Sequence, residues 1–333
     1  MEDGSVSTDV PNQTEYERFE LGKCYALKYC QKNDVIMDIG CASGAFLQIL
    51  KENGFTNLYG MDLSIQNLEN LRMKGMNTIH GSITTLKLAN VNAKMIAMFH
   101  VLEHCYELND VLSNVKSLLI PGGLILIEVP NVAKYNEIEH SHRYPYLLTH
   151  EHINHFSKTT IINLCQKQGF QVIESKEQIV TIVEKWPAIT LLLQLTDNLN
   201  DTITVDQFAV EKFKDYISLL HLSQQNSFEL KNKLISNWVC SQTPIAIWGA
   251  GEALTDILVK TELKKCNIVH IVDNDIHKQG KEIIKYTVCS PDILKNYQGT
   301  IVVVANFYLK NILDDIVSRE LKNTVYTISD LDV

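Results

Sequence analysis

Residues 35–50 read V-I-M-D-I-G-C-A-S-G-A-F-L-Q-I-L, and no other stretch restricts the fold of this chain so tightly. An apolar run (Val35, Ile36, Met37) ends in Asp38, a turn holding Gly40 and Gly44 follows, and an apolar-spaced helix starts near Ala45. A strand, a tight glycine turn and a helix N-terminus therefore follow one another directly. Glycine lets a backbone come close to a ligand because no Cβ intervenes. The spare N–H groups at the helix start then offer donors to a polar or anionic group.

The pattern repeats along the chain. Gly54 is placed to end the first of these helices. A second strand is expected over residues 57–61, ending in Asp62, with Ser64 capping a helix that carries Ile65, Leu68 and Leu71 on one face. Short strands follow at 78–80 and 95–99. Leu108, Val111, Leu112, Val115, Leu118 and Leu119 keep helical spacing, Pro121-Gly122-Gly123 stops that helix, and 124–129 is a continuous apolar strand. Alternation of this kind predicts a parallel α/β sheet, whose ligands bind beyond the carboxyl ends of the strands where the strand order reverses. Asp38, Asp62, Ser82, His100 and Pro130 fall at or just past such ends and are placed to line one crevice. Residues 131–155 form a long loop rich in Tyr and His, a length that often carries function. A helix over 158–168 and strands over 170–175 and 178–183 complete the unit, the last two as an antiparallel pair.

Residues 1–13 read as a flexible tail, 14–183 as the first α/β domain and 184–243 as a helical connector that could also serve as a lid or homodimer surface. A second α/β domain spans 244–333: residues 245–248, Gly249-Ala250-Gly251, a helix, 268–272 with Asp273, a strand over 300–304, and a helix with Leu309, Ile312, Leu313, Ile316 and Val317 on one face.

Composition narrows the partners. With 333 residues and 45% hydrophobic content the chain can fill two cores. A net charge of −9 without any Lys/Arg-rich block disfavours nucleic acid. Eight cysteines without one C-x-x-C pair fit neither a zinc ribbon nor a secreted disulfide framework. The polar start lacks a signal-peptide core, and the apolar stretch 188–195 is far short of the ~20 residues of a spanning helix. The expectation is a cytoplasmic protein with no membrane partner.

Asp38-x-Gly40-x-x-x-Gly44 resembles the first motif of class I S-adenosylmethionine (SAM)-dependent methyltransferases. Ala42 occupies the middle glycine position of a dinucleotide fingerprint, which favours SAM over NAD. Asp62, about twenty residues on, suits both ribose hydroxyls because a carboxylate offers only acceptors, although a plain helix cap would explain it too. Three further strings, Val101-Leu102-Glu103-His104, Leu118 to Gly123, and Glu128-Val129-Pro130-Asn131, resemble the signature of one methyltransferase subgroup. The resemblance implies a class I methyltransferase sheet with SAM on Asp38, Gly40, Cys41, Ser43, Gly44, Asp62, Leu63, Ser82 and His100. Lys94 and Ser82 stand where that subgroup usually has Asp. Glu103 and His104 are family marks that either hold the loop or act directly.

Methyl transfer needs an aligned, electron-rich acceptor and a base. Within Tyr146 to Ser157, the string His150 to Ser157 (H-E-H-I-N-H-F-S) resembles the corresponding motif of deoxysugar C-methyltransferases, which methylate nucleotide-linked 4-keto sugars. By that resemblance Glu151 orients His152, His152 takes the proton, and Tyr146 lies beside them; a histidine titrates close to working pH. The bland alternative is that His150 and His152 only close the loop. A metal held by His140, His142, His150, Glu151, His152 and His155 is disfavoured, because H-x-H loop spacing is weak evidence, and no metal is expected. The second domain, with Gly249, Gly251 and Asp273, resembles the C-terminal Rossmann-type domain of the same enzymes and is the candidate nucleotide-sugar site; packing or dimerisation alone would also explain it. The paired-cysteine zinc domain of the antibiotic-sugar enzymes has no counterpart here. The functions in play are methylation of a sugar or nucleotide-sugar at carbon or oxygen, O-methylation of another small metabolite such as a quinol or polyketide, and a non-catalytic SAM-binding scaffold.

Overall fold

The computed structural model describes residues 13–84, 91–137, 146–149, 151–181, 185–197, 202–305 and 308–327. The chain divides into two units, Met1–Leu219 and Leu220–Val333.

In the first unit the elements run α1 (Gln13–Tyr29), β1 (Val35–Ile39), α2 (Ala45–Glu52), β2 (Asn57–Asp62), α3 (Ile65–Met73), β3 (Asn77–His80), β4 (Ala93–Phe99), α4 (Leu108–Leu118), β5 (Leu119–Pro130), α5 (Lys158–Lys167), β6 (Phe170–Thr181) and β7 (Lys185–Leu195). They form one seven-stranded sheet in the order β3-β2-β1-β4-β5-β7-β6. Strands β1 to β5 are parallel, and β7 runs antiparallel to both β5 and β6. The order reverses between β1 and β4, which pair from Ile36↔Met95 to Ile39↔Met98. Both faces are covered. One core packs Phe19, Phe46, Leu50, Leu68 and Leu71 against the sheet, and the other packs Val111, Leu112, Val115, Ile161 and Cys165. Burial on both faces explains why the central strands read as unbroken apolar runs.

The helix ends follow their local chemistry. The Ser64 side chain accepts from Asn67 N and caps α3. Ser157 and Thr160 form a reciprocal capping box at the start of α5.

The end of this unit departs from expectation. Residues 185–195 do not begin a helical connector; they are β7, a strand between β5 and β6. Seven of its residues, Pro187 to Leu193, are buried, so the alternation that marks a half-exposed strand is missing. A short apolar run of that kind cannot be told from a buried helix by periodicity. The strand expected at 178–183 is the end of β6, and residues 182–184 lie outside the described residues. The expected stretch 188–195 is thus sheet core, and no helix among the described residues is long and apolar enough to cross a membrane.

The long helix α6 (Gln207–Ser241) follows. Its Ala209 and Tyr216 pack with Val132, Tyr135 and Leu147 in the first unit, and its Ile235 packs with Ile245 and Ile247 in the second.

The second unit contains β8 (Ile245–Trp248), α7 (Glu252–Lys260), β9 (Ile268–Val272), β10 (Glu282–Ile283), β11 (Tyr286–Cys289), β12 (Thr300–Val303), α8 (Leu309–Ser318) and β13 (Val325–Thr327). Its sheet has the order β10-β11-β9-β8-β12-β13, parallel except for the β10–β11 pair. On α8 the buried positions are Ile312 and Ile316, whereas Val317 is exposed.

The glycine turn after β1 depends on its glycines for two reasons. Gly44 has a φ of +77°, and a Cβ there would stand 2.7 Å from Leu71 Cδ2 on α3. Left-handed strain and a displaced core leucine both act against any side chain. Gly44→Ala is expected to cost about 1–3 kcal/mol, read as a lower urea midpoint at unchanged slope. An unaltered midpoint would contradict this account of the turn.

Candidate active site

The carboxyl ends of β1, β2, β4 and β5 meet where the strand order reverses. Gly40 N and Cys41 N donate to Met61 O at 2.8 and 3.0 Å. Asp62 then clamps the turn: its Oδ2 accepts from Ala42 N at 2.9 Å and its Oδ1 from Ser64 N at 2.8 Å. Ser64 is the helix cap, so a plain capping role does not account for Asp62. Each carboxylate oxygen keeps a further lone pair for a ligand donor. Leu63 beside it is 71% exposed, a large apolar side chain left open at a strand end. Cys41 is buried and Ser43 half-buried in the same turn. Ser82 lies just past β3, with its Oγ 2.7 Å from Thr84 Oγ1.

Asp38 is buried, and its Oδ1 has no hydrogen-bond partner. Burial pushes its carboxyl up to about 8; the Arg18 charge pulls the other way and the Asp62 charge adds to the rise. An orphaned acid beside a glycine turn fits a ligand that brings its own cation, as the amino-acid end of SAM does.

His100 follows β4 with a left-handed φ of +55°, uncommon for a residue with a Cβ. Its N donates to Glu128 O at 2.8 Å. Its ring lies between two glutamates, Nδ1 3.0 Å from Glu103 Oε1 and Nε2 3.4 Å from Glu128 Oε1, with both carboxylates buried. Burial opposes protonation, but contact with Glu103 and Glu128 and their charges outweigh it and hold the ring up at about 9. Burial would likewise raise Glu128, yet His100, Arg18 and the Thr190 hydroxyl bring it below the usual range. Arg18 Nε stands 3.7 Å from Glu128 Oε1, and Thr190 Oγ1 donates to Glu128 Oε2 at 3.1 Å.

His152 reaches the same edge from the loop after β5. The loop is tied to the short 3-10 turn Leu102–His104: Asn154 N donates to Glu103 O, Asn154 Nδ2 to Leu102 O and Cys105 O, and His104 Nδ1 meets Glu151 O at 3.0 Å. The His152 ring lies 5.6 Å from Trp186 and 4.8 Å from His104, and Trp186 is 6.2 Å from His100. Burial lowers the His152 pKa, with His104 and His100 adding to that and Glu103 and the Leu147 carbonyl opposing it. Its Nδ1 is buried and has no hydrogen-bond partner. Glu103, His104 and His152 place one potential ligand atom each within 4.8 Å of one another.

The other loop histidines are not gathered here. His155 turns to Tyr135, whose hydroxyl lies 3.2 Å from its Nδ1. His140, His142 and His150 lie outside the described residues, as does the side chain of Tyr146, whose backbone opens the 3-10 turn Tyr146–Leu148. Three side chains at this edge carry no motif: Arg18, Trp186 and Thr190. Glu128 had a legible signal, a lone carboxylate within the apolar strand L-I-L-I-E-V.

The second unit has a similar turn. Gly249 N donates to Val272 O, and Asp273 accepts from Ala250 N at 2.7 Å and Asp275 N at 2.9 Å. Asp273 is also paired with Lys278 at 3.2 Å. A Cβ at Gly251 would meet nothing within 4 Å, so that side of the turn is open.

Residues 16–175 match the family described as a methyltransferase domain, and residues 241–324 match one described as C2185-like, N-terminal. Residues 16–175 of the first unit thus match a methyltransferase domain, and relatives of this kind imply S-adenosyl-L-methionine as the cofactor. C-methyltransferase NovU of Streptomyces niveus is 23% identical over 178 residues, 51% of this chain and 40% of its own length. A protein of Mycolicibacterium smegmatis named "Probable S-adenosylmethionine-dependent methyltransferase" is 21% identical over 145 residues, 43% of this chain and 54% of its own. The chain thus spans about half the length of these curated relatives. A solved SAM-dependent methyltransferase of Methanosarcina mazei is 14% identical, with a TM-score of 0.45, covering 53% of this chain and 98% of its own.

The raised groups make stability depend on pH. The folded protein holds a proton on Asp38 up to about 8 and on His100 up to about 9, whereas the unfolded chain releases them lower. The folded state therefore binds more protons, and stability falls as pH rises through that range. Urea midpoints are expected to drop steadily from pH 6.5 to 9.5, less steeply in His100→Asn. A midpoint that rises over this window would contradict the assignment.

Proposed function

We propose that the chain transfers a methyl group from SAM to a sugar or nucleotide-sugar, with His152 as the base. The observation that carries this reading is His152 itself. It is a histidine kept neutral by burial, with Nδ1 lacking a partner, at the edge where the strand order reverses. The Asp38–Gly44 turn, with Gly40, Cys41 and Ser43, would hold the amino-acid end of the cofactor. Asp62 would take the ribose, Leu63 and Ser82 would border the adenine, and His100 would complete the cofactor site. SAM supplies an electrophilic methyl on a sulfonium.

The protein's task is alignment and proton removal. His152 would take the acceptor's proton, leaving an electron pair on carbon or oxygen to take up the methyl group as its bond to the sulfonium sulfur breaks, that bond's pair staying on sulfur. Next to a ketone, loss of the proton gives an enolate, so a keto sugar is an acceptor a histidine can activate. The name of NovU, a C-methyltransferase, favours carbon. Glu151 is proposed beside His152 through the motif, and Tyr146 as a contributor to the same loop. In the second unit Gly249, Gly251 and Asp273 are proposed for the nucleotide, supported by the open turn at Gly251.

Asp38 gives the cofactor reading a test. An ammonium docked against its carboxyl displaces the proton, so SAM affinity should rise with pH from 6 to 8, by up to about tenfold per unit. Calorimetry measures this, and Asp62→Ala should lose binding under the same conditions. Tight binding by Asp62→Ala would contradict the ribose role. For the acceptor, incubation with SAM and a panel of nucleotide-sugars, followed by product NMR, should show a new methyl signal. His152→Gln should lower turnover by about 10²–10⁴-fold. Near-full turnover by that variant would remove the base.

A further inference from the structure

From the geometry around His152 we infer that Glu103, in the 3-10 turn after β4, is the positioning carboxylate that makes His152 a base. This rests on the reading of His152 given above. Three observations converge on Glu103. Its side chain is fully buried, and neither carboxylate oxygen accepts an aligned hydrogen bond, although Oε1 is in ion-pair contact with His100 Nδ1 at 3.0 Å. A potential ligand atom of Glu103 lies within 4.8 Å of one on His152. The two segments are fastened together through Asn154, whose N donates to Glu103 O and whose Nδ2 donates to Leu102 O and Cys105 O.

A buried carboxylate of this kind has little to gain from neutral imidazole and much to gain from imidazolium. When the acceptor's proton arrives at the His152 ring, the new positive charge lies close to the buried Glu103 carboxylate. The proton stays on His152. His100 shares the same carboxylate from the other side and counts against His152, since both rings draw on one negative charge. The groups that face His152 are therefore Glu103, which favours its protonation, and His104 and His100, which oppose it. His155 senses His152 from the loop. Glu151 adjoins His152 in sequence and gives its backbone carbonyl to His104.

The test is the titration of His152 in the cofactor-free protein, followed by nitrogen-15 NMR of the imidazole rings. In Glu103→Gln the proton affinity of His152 should fall about tenfold or more. In His100→Asn it should rise, because a competing positive charge is gone; asparagine tolerates the left-handed backbone at that position, so this variant serves if Glu103→Gln does not fold. The rising limb of the kcat profile should move with the His152 titration.

An unchanged His152 titration in Glu103→Gln would overturn the inference. So would a purified protein carrying one divalent ion per chain with a His152 that does not titrate. The two readings fail separately. Full turnover by His152→Gln removes the base whatever Glu103 does, whereas a silent Glu103→Gln with an inactive His152→Gln removes only the positioning role.

Discussion

Arg18, His100, Glu103 and Glu128 lie together at one sheet edge, and their charges balance only as a set. Isolated buried ions cost several kcal/mol each. Here two cations and two anions sit in contact, with Glu128 touching both Arg18 and His100 and Glu103 touching His100. Removing one member would leave an uncompensated charge in a site largely closed to water. The cluster therefore constrains the left-handed turn at His100, the seat of α1 against the sheet and the approach of the His152 loop.

The sheet supplies the frame for that cluster. Strand β4 ends beside β1 at the reversal of strand order, so the glycine turn and His100 face the same crevice. Asp62 closes the turn by accepting from Ala42 N, and the His152 loop returns over the edge through Asn154. Acid, imidazole and turn are each held by backbone hydrogen bonds. Such anchoring is what a reaction that depends on alignment within a fraction of an ångström requires.

Much of this was legible in the residues. The turn from Asp38 to Gly44, Asp62 at the end of the second strand, the Ser64 cap and the apolar spacing of α4 all express local chemistry, and each stands where the sequence predicts. The misreading at β7 has a physical cause: a strand buried on both faces loses the alternation that identifies it. Arg18 and Trp186 were silent for a different reason. Their place at the site comes from tertiary packing, α1 lying against the sheet and β7 inserting beside β5, and nothing in their neighbours in sequence encodes that. Glu103 stood between, a marked residue whose partner, His152, lies far along the chain.

The central claim is that the methyl donor lies across the carboxyl edge of the first sheet. Hydrogen–deuterium exchange with and without S-adenosylhomocysteine tests it directly, because the amides of the glycine turn and of the start of α3 would be covered. Slowed exchange in peptides spanning residues 37–46 and 60–68 is the expected result. Slowed exchange confined to residues 245–275, with the first turn unaffected, would contradict it.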